Sequence, residues 1–195
     1  MNLKHFKVNL EWTLFLDRDG TINEKFDDDY VKNWRQFKFL AGAVEGLKIL
    51  NRIFGKTIIV TNQRGIGKGL MKKQDLDLIH QNMLSVLRVQ GVHIDKIYYC
   101  PHNYEIENCN CRKPNIGMAL DAKDDFHDID FRKSVMVGDS LSDMVFGRTL
   151  SMITVLIDNE SKPVTDSEGY IDLRYKSLLE FANELLKTNC VIKKV

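Results

Sequence analysis

Along this chain, short apolar runs alternate with stretches in which apolar residues recur every three or four positions. The runs are Thr13 to Asp17 (TLFLD), Thr57 to Asn62 (TIIVTN), Lys96 to Cys100 (KIYYC), Ser134 to Asp139 (SVMVGD) and Ile153 to Ile157 (ITVLI). Each is apolar in its middle and polar or loop-like after it, which predicts five strands buried on both faces, as in a parallel sheet. Between them, Ala43 to Phe54 carries Val44, Leu47, Leu50 and Phe54 at helical spacing, and Lys73 to Val89 carries Leu76, Ile79, Met83, Val86 and Leu87. Gly117 to Phe126 reads as a shorter helix, and Lys176 to Lys187, with Leu178, Leu179, Phe181, Ala182, Leu185 and Leu186, as a closing amphipathic one. This alternation predicts an α/β fold, a Rossmann-like parallel sheet with helices on both faces.

With 195 residues and 44% hydrophobic content, the chain suits a single domain, 1–195, and no repeat, low-complexity tract or linker divides it. Twenty-eight Lys and Arg against 27 Asp and Glu leave a formal charge of +1. Nothing therefore draws it broadly to nucleic acid or an anionic membrane, and any anion is bound locally. No stretch approaches the length of a membrane span, and Met1 to Trp12 lacks the apolar region of a secretory leader. The expectation is a soluble, cytoplasmic monomer without nucleic-acid or membrane partners.

Ligands of open parallel sheets bind just beyond the carboxyl ends of the strands, so the residues that end the runs should meet. Those are Asp17, Asp19, Thr61, Asn62 and Asp139. Three clustered carboxylates repel one another unless a cation neutralises them, and oxygen ligands completed by a substrate phosphate suit magnesium. A second constellation, Cys100, His102, Cys109 and Cys111, offers three thiolates and one imidazole within twelve residues. That set suits a closed, structural zinc site that orders the polar loop NYEIEN and so sets the position of Arg112 and Lys113 just after it. Cys190 stands apart as an ordinary cysteine.

Asp17-Arg18-Asp19-Gly20-Thr21 resembles the DxDGT nucleophile motif of the haloacid dehalogenase phosphatases. Thr61-Asn62-Gln63 is similar to the second motif of that family, Lys113 within Cys-Arg-Lys-Pro to the third, and Gly138-Asp139-Ser140-Leu141-Ser142-Asp143 to the GDxxxD fourth. The four stand in the family's order over a core of about Thr13 to Ile157. The resemblance implies that Asp17 is the nucleophile and Asp19 the acid and base for the leaving group and water. It further implies that Asp17, the Asp19 carbonyl and Asp139 hold magnesium, with Asp143 behind them. Thr61 and Asn62 would donate to the phosphoryl group, and Lys113 would balance its charge. Gly20 would permit the turn that brings backbone N–H groups toward the phosphate.

The cysteine-rich loop narrows the resemblance to the group containing the D-glycero-D-manno-heptose 1,7-bisphosphate phosphatases and the histidinol-phosphate phosphatase domain. Ile97 to His102, Arg112 to Met118 and the segment TNQRGIGKG (Thr61 to Gly69) are similar to the heptose enzymes. The short spacer from His102 to Cys109 is similar to the histidinol-phosphate group, and Ser140 stands where both groups usually carry a basic residue. Neither Asp19 to Ala43 nor Asn62 to Cys100 has room for a large cap domain, so small loops must choose the substrate. The candidates are Arg64 and Lys68 after the second motif, Arg112 beside the third, and the Glu24 to Phe39 loop with Tyr30 and Trp34. The expected activity is magnesium-dependent hydrolysis of a small phosphorylated metabolite, first the 7-phosphate of the heptose bisphosphate and alternatively histidinol phosphate. A noncatalytic binding module of the same fold is the alternative of another class, and the intact Asp17 and Asp19 argue against it.

Overall fold

The computed structural model describes residues 7–26, 29–158 and 164–192, with the side chains of the last three outside the description, Cys190 among them. Strands β1 (Thr13–Leu16), β2 (Lys56–Asn62), β3 (Lys96–Cys100), β4 (Ser134–Gly138), β5 (Ile153–Ile157) and β6 (Leu173–Tyr175) form one sheet. All neighbours are parallel, and the order is β3-β2-β1-β4-β5-β6. The five apolar runs are thus five of the strands. The sixth escapes the pattern because it is a three-residue edge strand, only half-buried, defined by pairing Leu173 with Val155 of β5.

Among the described residues, five helices cover the sheet: α1 (Ala43–Leu50), α2 (Lys73–Val89), α3 (Gly117–Asp125), α4 (Leu141–Thr149) and α5 (Leu178–Ile192). Side chains alternate across a strand, so β1 serves two layers. Leu14 and Leu16 pack with Leu47, Ile79, Met83 and Phe181 of α1, α2 and α5, while Phe15 packs with Met118, Ala122 and Phe146 of α3 and α4. The helix expected over Ala43 to Phe54 stops at Leu50, and a turn carries Phe54 into the same core through its N–H to the Leu50 carbonyl (2.9 Å). On α2, Val86 is exposed rather than buried, and His80 occupies a core-facing position instead. Helix α4 lies close on β4 and β5 because residue 147 is glycine; a Cβ there would sit 2.8 Å from Met136 Cβ and from Thr154 Cγ2.

From β1 the chain steps outward through β2 to β3, then crosses back to β4 on the other side of β1. The reversal leaves a crevice between the carboxyl ends of β1 and β4, the place where open α/β sheets bind ligands. The described part of the segment from β1 to α1 holds only two isolated bridges, Asp19 with Asn23 and Asn23 with Phe39, and a 3-10 turn at Trp34–Gln36. No cap domain arises there. Trp34 stacks on Phe37 (4.9 Å between ring centroids), and Phe37 meets Phe39 edge-on, which makes these aromatics packing residues of that loop. Among the described residues, no helix is long and apolar enough to cross a membrane.

Candidate active site

Asp17 stands one residue past β1 and Asp139 one past β4, while Thr61 and Asn62 are the last two residues of β2. Strand register alone therefore brings the first, second and fourth motifs together, and the Asp17 N–H donates to the Val137 carbonyl at 2.9 Å. A cleft of about 240 Å³ results, lined by Asp17, Asp19, Lys25, Thr61, Asn62, Arg112, Lys113, Asp139, Ser140, Ser142 and Asp143. Gly20 is required at its floor: its φ is +87°, and a Cβ would run into the Asp139 carboxylate.

Lys113 enters this cleft buried. Its Nζ donates to Asp17 Oδ1 (2.8 Å) and the Val60 carbonyl (2.7 Å) and lies 2.6 Å from Asp143 Oδ1. Burial opposes its charge, but Asp143 and Asp17 outweigh that and raise its pKa. The other Asp143 oxygen accepts from the Ser140 N–H (3.1 Å) and hydroxyl (2.6 Å) at the start of α4. Asp143 is therefore fixed from two sides. Burial, reinforced by the charges of Asp143, Asp139 and Asp19, pushes Asp17 up to about 7 against the pull of Lys113. Burial and Asp143 likewise push Asp139 up to about 6, countered by Lys25, whose Nζ donates to Asp139 Oδ2 at 2.7 Å.

One oxygen each from Asp17, Asp139 and Asp143 lie within 4.8 Å of one another. The raised proton affinity of Asp17 and Asp139 marks a site short of positive charge, and the three hard oxygens fit a magnesium-sized cation. Asp19 stands outside this trio. Its Oδ1 accepts from Arg18 Nη2 (2.8 Å) and Asn23 Nδ2 (2.8 Å), and its Oδ2 from Arg18 Nη2 (2.8 Å) and Gln63 Nε2 (2.8 Å). Burial works to raise the Asp19 pKa, but the Arg18 charge and these donors prevail and hold it below the ordinary carboxylate value.

Thr61 accepts from Gln63 Nε2 (3.0 Å), which leaves its hydroxyl proton for the cleft. Asn62 is turned to the third motif instead: its Oδ1 accepts the Lys113 N–H (3.0 Å) and its Nδ2 donates to the Lys113 carbonyl (3.2 Å). Arg64 is buried away from the trio, donating to Asn103 Oδ1 (2.7 Å), paired with Glu105 (2.5 Å) and stacked over Tyr104 (4.0 Å to the ring centroid). Lys68 is exposed and does not line the cleft. Arg112 does line it, stacks over the same Tyr104 ring (4.6 Å), and has a buried Nη1 without a hydrogen-bond partner. It also borders an adjoining pocket of about 400 Å³ with Tyr104, Asn108 and Asn115.

Cys100, His102, Cys109 and Cys111 converge as the second expected group, all ligand atoms within 4.8 Å of one another. Sulfur to sulfur is 3.6 Å for Cys100 and Cys109, and His102 Nδ1 lies 3.6 Å from Cys100 Sγ and 3.1 Å from Cys111 Sγ. Zinc–sulfur bonds of about 2.3 Å at tetrahedral angles put sulfurs about 3.8 Å apart, so this donor set fits zinc.

Arg18, Lys25 and His80 were not among the expected site residues. His80 carries the one readable signal, since it lies one turn beyond Leu76 on the buried face of α2. Lys25 has none: it sits in the polar run NEKFDDD, where a lysine is ordinary.

The sequence matches the family described as Polynucleotide kinase 3 phosphatase over residues 12–167. It is 40% identical over 172 residues to D-glycero-alpha-D-manno-heptose-1,7-bisphosphate 7-phosphatase of Mycobacterium tuberculosis, covering 88% of this chain and 90% of that protein. To D-glycero-beta-D-manno-heptose-1,7-bisphosphate 7-phosphatase of Escherichia coli it is 36% identical over 181 residues, covering 89% and 94%. The fold is similar to that of the D,D-heptose 1,7-bisphosphate phosphatase of B. bronchiseptica complexed with magnesium and phosphate. That likeness has a TM-score of 0.77 at 28% identity and covers 90% of this chain and 98% of that one.

Proposed function

Because the chain belongs to the haloacid dehalogenase phosphatases, in the group of the heptose-1,7-bisphosphate 7-phosphatases, we propose that it removes the 7-phosphate from D-glycero-D-manno-heptose 1,7-bisphosphate. The observation that carries this reading is the trio of Asp17, Asp139 and Asp143 gathered with Lys113 at the β1/β4 crevice. The α anomer is the preferred form, supported by the higher identity to the relative so named.

Asp17 attacks phosphorus in line, and the bond to the sugar oxygen breaks as an aspartyl-phosphate forms. Asp19 protonates the departing oxygen and then takes a proton from the water that hydrolyses the intermediate. It starts as an anion on Arg18, and the arriving phosphoryl dianion, a like charge beside it, favours its protonated form. Thr61 donates its hydroxyl proton to a phosphoryl oxygen, and Lys113 supplies positive charge to the same group. Asn62 acts by clamping Lys113 in place.

Asp17, the Asp19 carbonyl and Asp139, backed by Asp143, would hold magnesium, which supplies charge neutralisation for the phosphoryl oxygens. Zinc at Cys100, His102, Cys109 and Cys111 has a structural role. Arg112, with its unpartnered Nη1 between the cleft and the adjoining pocket, reaches the distal anionic part of the substrate. Arg64 contributes through the loop it ties down. A small soluble sugar phosphate as substrate supports a cytoplasmic setting.

The test is phosphate release with magnesium from both anomers of the heptose bisphosphate, histidinol phosphate and a 3′-phosphorylated oligonucleotide, with Asp17→Asn as control. Fastest release from the α heptose, abolished in the variant, is expected; fastest release from either of the last two would replace the substrate, and release unaffected by the variant would remove Asp17 as nucleophile.

A further inference from the structure

Arg18 is wholly buried under the site, and its guanidinium has two kinds of neighbour. On one side Nη2 donates to both Asp19 oxygens (2.8 Å each) and to Gln63 Oε1 (3.3 Å). On the other, Nη1 lies 3.1 Å from Nε2 of His80, which α2 delivers from beneath the sheet. An arginine can only donate, so Nε2 must offer its lone pair and the imidazole proton must sit on Nδ1. A neutral ring is what this environment imposes: burial, then the Arg18 charge, pushes the His80 pKa down to about 3. The ring is further fixed edge-on against Tyr99, 6.1 Å between centroids.

We infer that His80 is a positioning residue for the reaction: it seats Arg18, and through Arg18 it fixes the Asp19 carboxylate at the height of the leaving oxygen. This rests on the proposed role of Asp19 as the acid. The geometry favours it because Asp19, unlike Asp17, Asp139 and Asp143, is outside the trio that could hold a cation. Its orientation depends on a separate frame of Arg18, Asn23 and Gln63. Of those three, only Arg18 reaches both carboxylate oxygens, and His80 is the acceptor that stops its far end from turning. A shift of about 1 Å at a reacting group costs up to about a hundredfold in rate.

A seat for the acid has a signature that a merely structural residue lacks. Leaving groups that depart without a proton do not need Asp19 in the first step, whereas poor ones do. The experiment measures kcat/KM, which reports formation of the aspartyl-phosphate, for phenyl, 4-nitrophenyl and 2,4-dinitrophenyl phosphate, with the heptose bisphosphate alongside. The enzymes are wild type, His80→Gln and His80→Asn. Glutamine places an amide oxygen at the reach of Nε2, and asparagine carries the same amide one methylene short. His80→Asn is expected to lose roughly tenfold or more on phenyl phosphate and less than about twofold on 2,4-dinitrophenyl phosphate. His80→Gln should stay within about threefold of wild type on every substrate, as hydrogen-bond replacement predicts.

Equal losses across the leaving groups, or equal behaviour of the two amides, would overturn the inference. Failure of wild type on the heptose bisphosphate, with the aryl series still showing the expected split, would overturn the substrate and leave the positioning role standing. If His80→Asn does not fold, Gln63→Met, which removes a donor from Asp19 at the rim of the same frame, must steepen the leaving-group dependence in the same sense; a flat profile there overturns the inference too.

Discussion

Three acceptors converge on the Lys113 ammonium: Asp17, Asp143 and the Val60 carbonyl, at 2.6 to 2.8 Å. An ammonium has three protons, so this buried lysine is saturated by contacts radiating from one nitrogen, a geometry that a planar guanidinium cannot copy. Lys113→Met should lower kcat about a hundredfold or more, the scale of removing a charge aimed at a transition state. It should also destabilise the magnesium-free protein by about 3 to 5 kcal/mol, because two buried carboxylates are left facing each other. Lys113→Arg should rescue neither. Phosphate-release kinetics and thermal unfolding of both variants check this, and an activity within about tenfold of wild type would remove Lys113 from the chemistry. The lysine was legible in the sequence because it sits in a motif. His80 and Arg18 were less so, because their partnership spans 62 residues and becomes visible only when α2 is laid under β1.

The loop from Cys100 to Lys113 is the element on which several site residues depend. It contains no helix or strand beyond the end of β3, so two interlocks hold it. One is the cysteine and histidine cluster; the other is Arg64, which ties the loop after β2 to Asn103, Tyr104 and Glu105. Gly67 makes the loops meet closely, its N–H donating to the Pro101 carbonyl at 2.8 Å where a Cβ would strike the Asn103 N–H. Zinc at the cluster would therefore govern where Arg112 and Lys113 stand, without touching the substrate. Cys109→Ser should lose bound zinc by elemental analysis and lower kcat/KM by about tenfold or more, the scale of a misplaced reacting group. Its far-UV circular dichroism should be largely unchanged, since apart from Cys100 at the end of β3 the loop holds no helix or strand. A zinc-free variant with full activity would refute the structural role. The elements legible in the sequence were those with a continuous apolar run or a clear stripe: β1 to β5, α1, α2, α3 and α5. Asp143 was legible as the last residue of the fourth motif, but no span was assigned to α4. That helix has nine residues interrupted by Gly147, which is there for close packing against Met136 and Thr154 rather than for helix formation. Strand β6 has no apolar run at all and exists because β5 offers it an edge.

For the molecule as a whole, the crevice at the switch point gathers more negative charge than its lysines neutralise, and this sets a pH dependence of folding. Without magnesium, Asp17 and Asp139 have pKa values of about 7 and about 6, above the value of 3.8 expected for a free aspartate. Between about pH 4 and pH 7 the folded protein thus binds protons that the unfolded chain has released, so these groups favour folding at low pH and lose that contribution as pH rises. Each contributes a slope of up to about 1.4 kcal/mol per pH unit within its own window. His80 acts in the opposite sense: its folded pKa is depressed from 6.5 to about 3, so the unfolded chain takes up a proton first and folding weakens as pH falls below about 6.5. Two carboxylates against one imidazole leave a net loss of stability toward neutral pH in magnesium-free buffer. A divalent cation binds the ionised carboxylates of the folded state and not the unfolded chain, so it stabilises most where they are deprotonated. The gain in Tm on adding magnesium should therefore be small at pH 5 and larger at pH 7.5. Asp139→Asn should be more stable than wild type at pH 7.5 without magnesium, and should gain little when it is added. Thermal unfolding of both proteins at the two pH values, with and without magnesium, measures all of this. A magnesium gain independent of pH would mean that the carboxylates at the crevice are not what holds the cation.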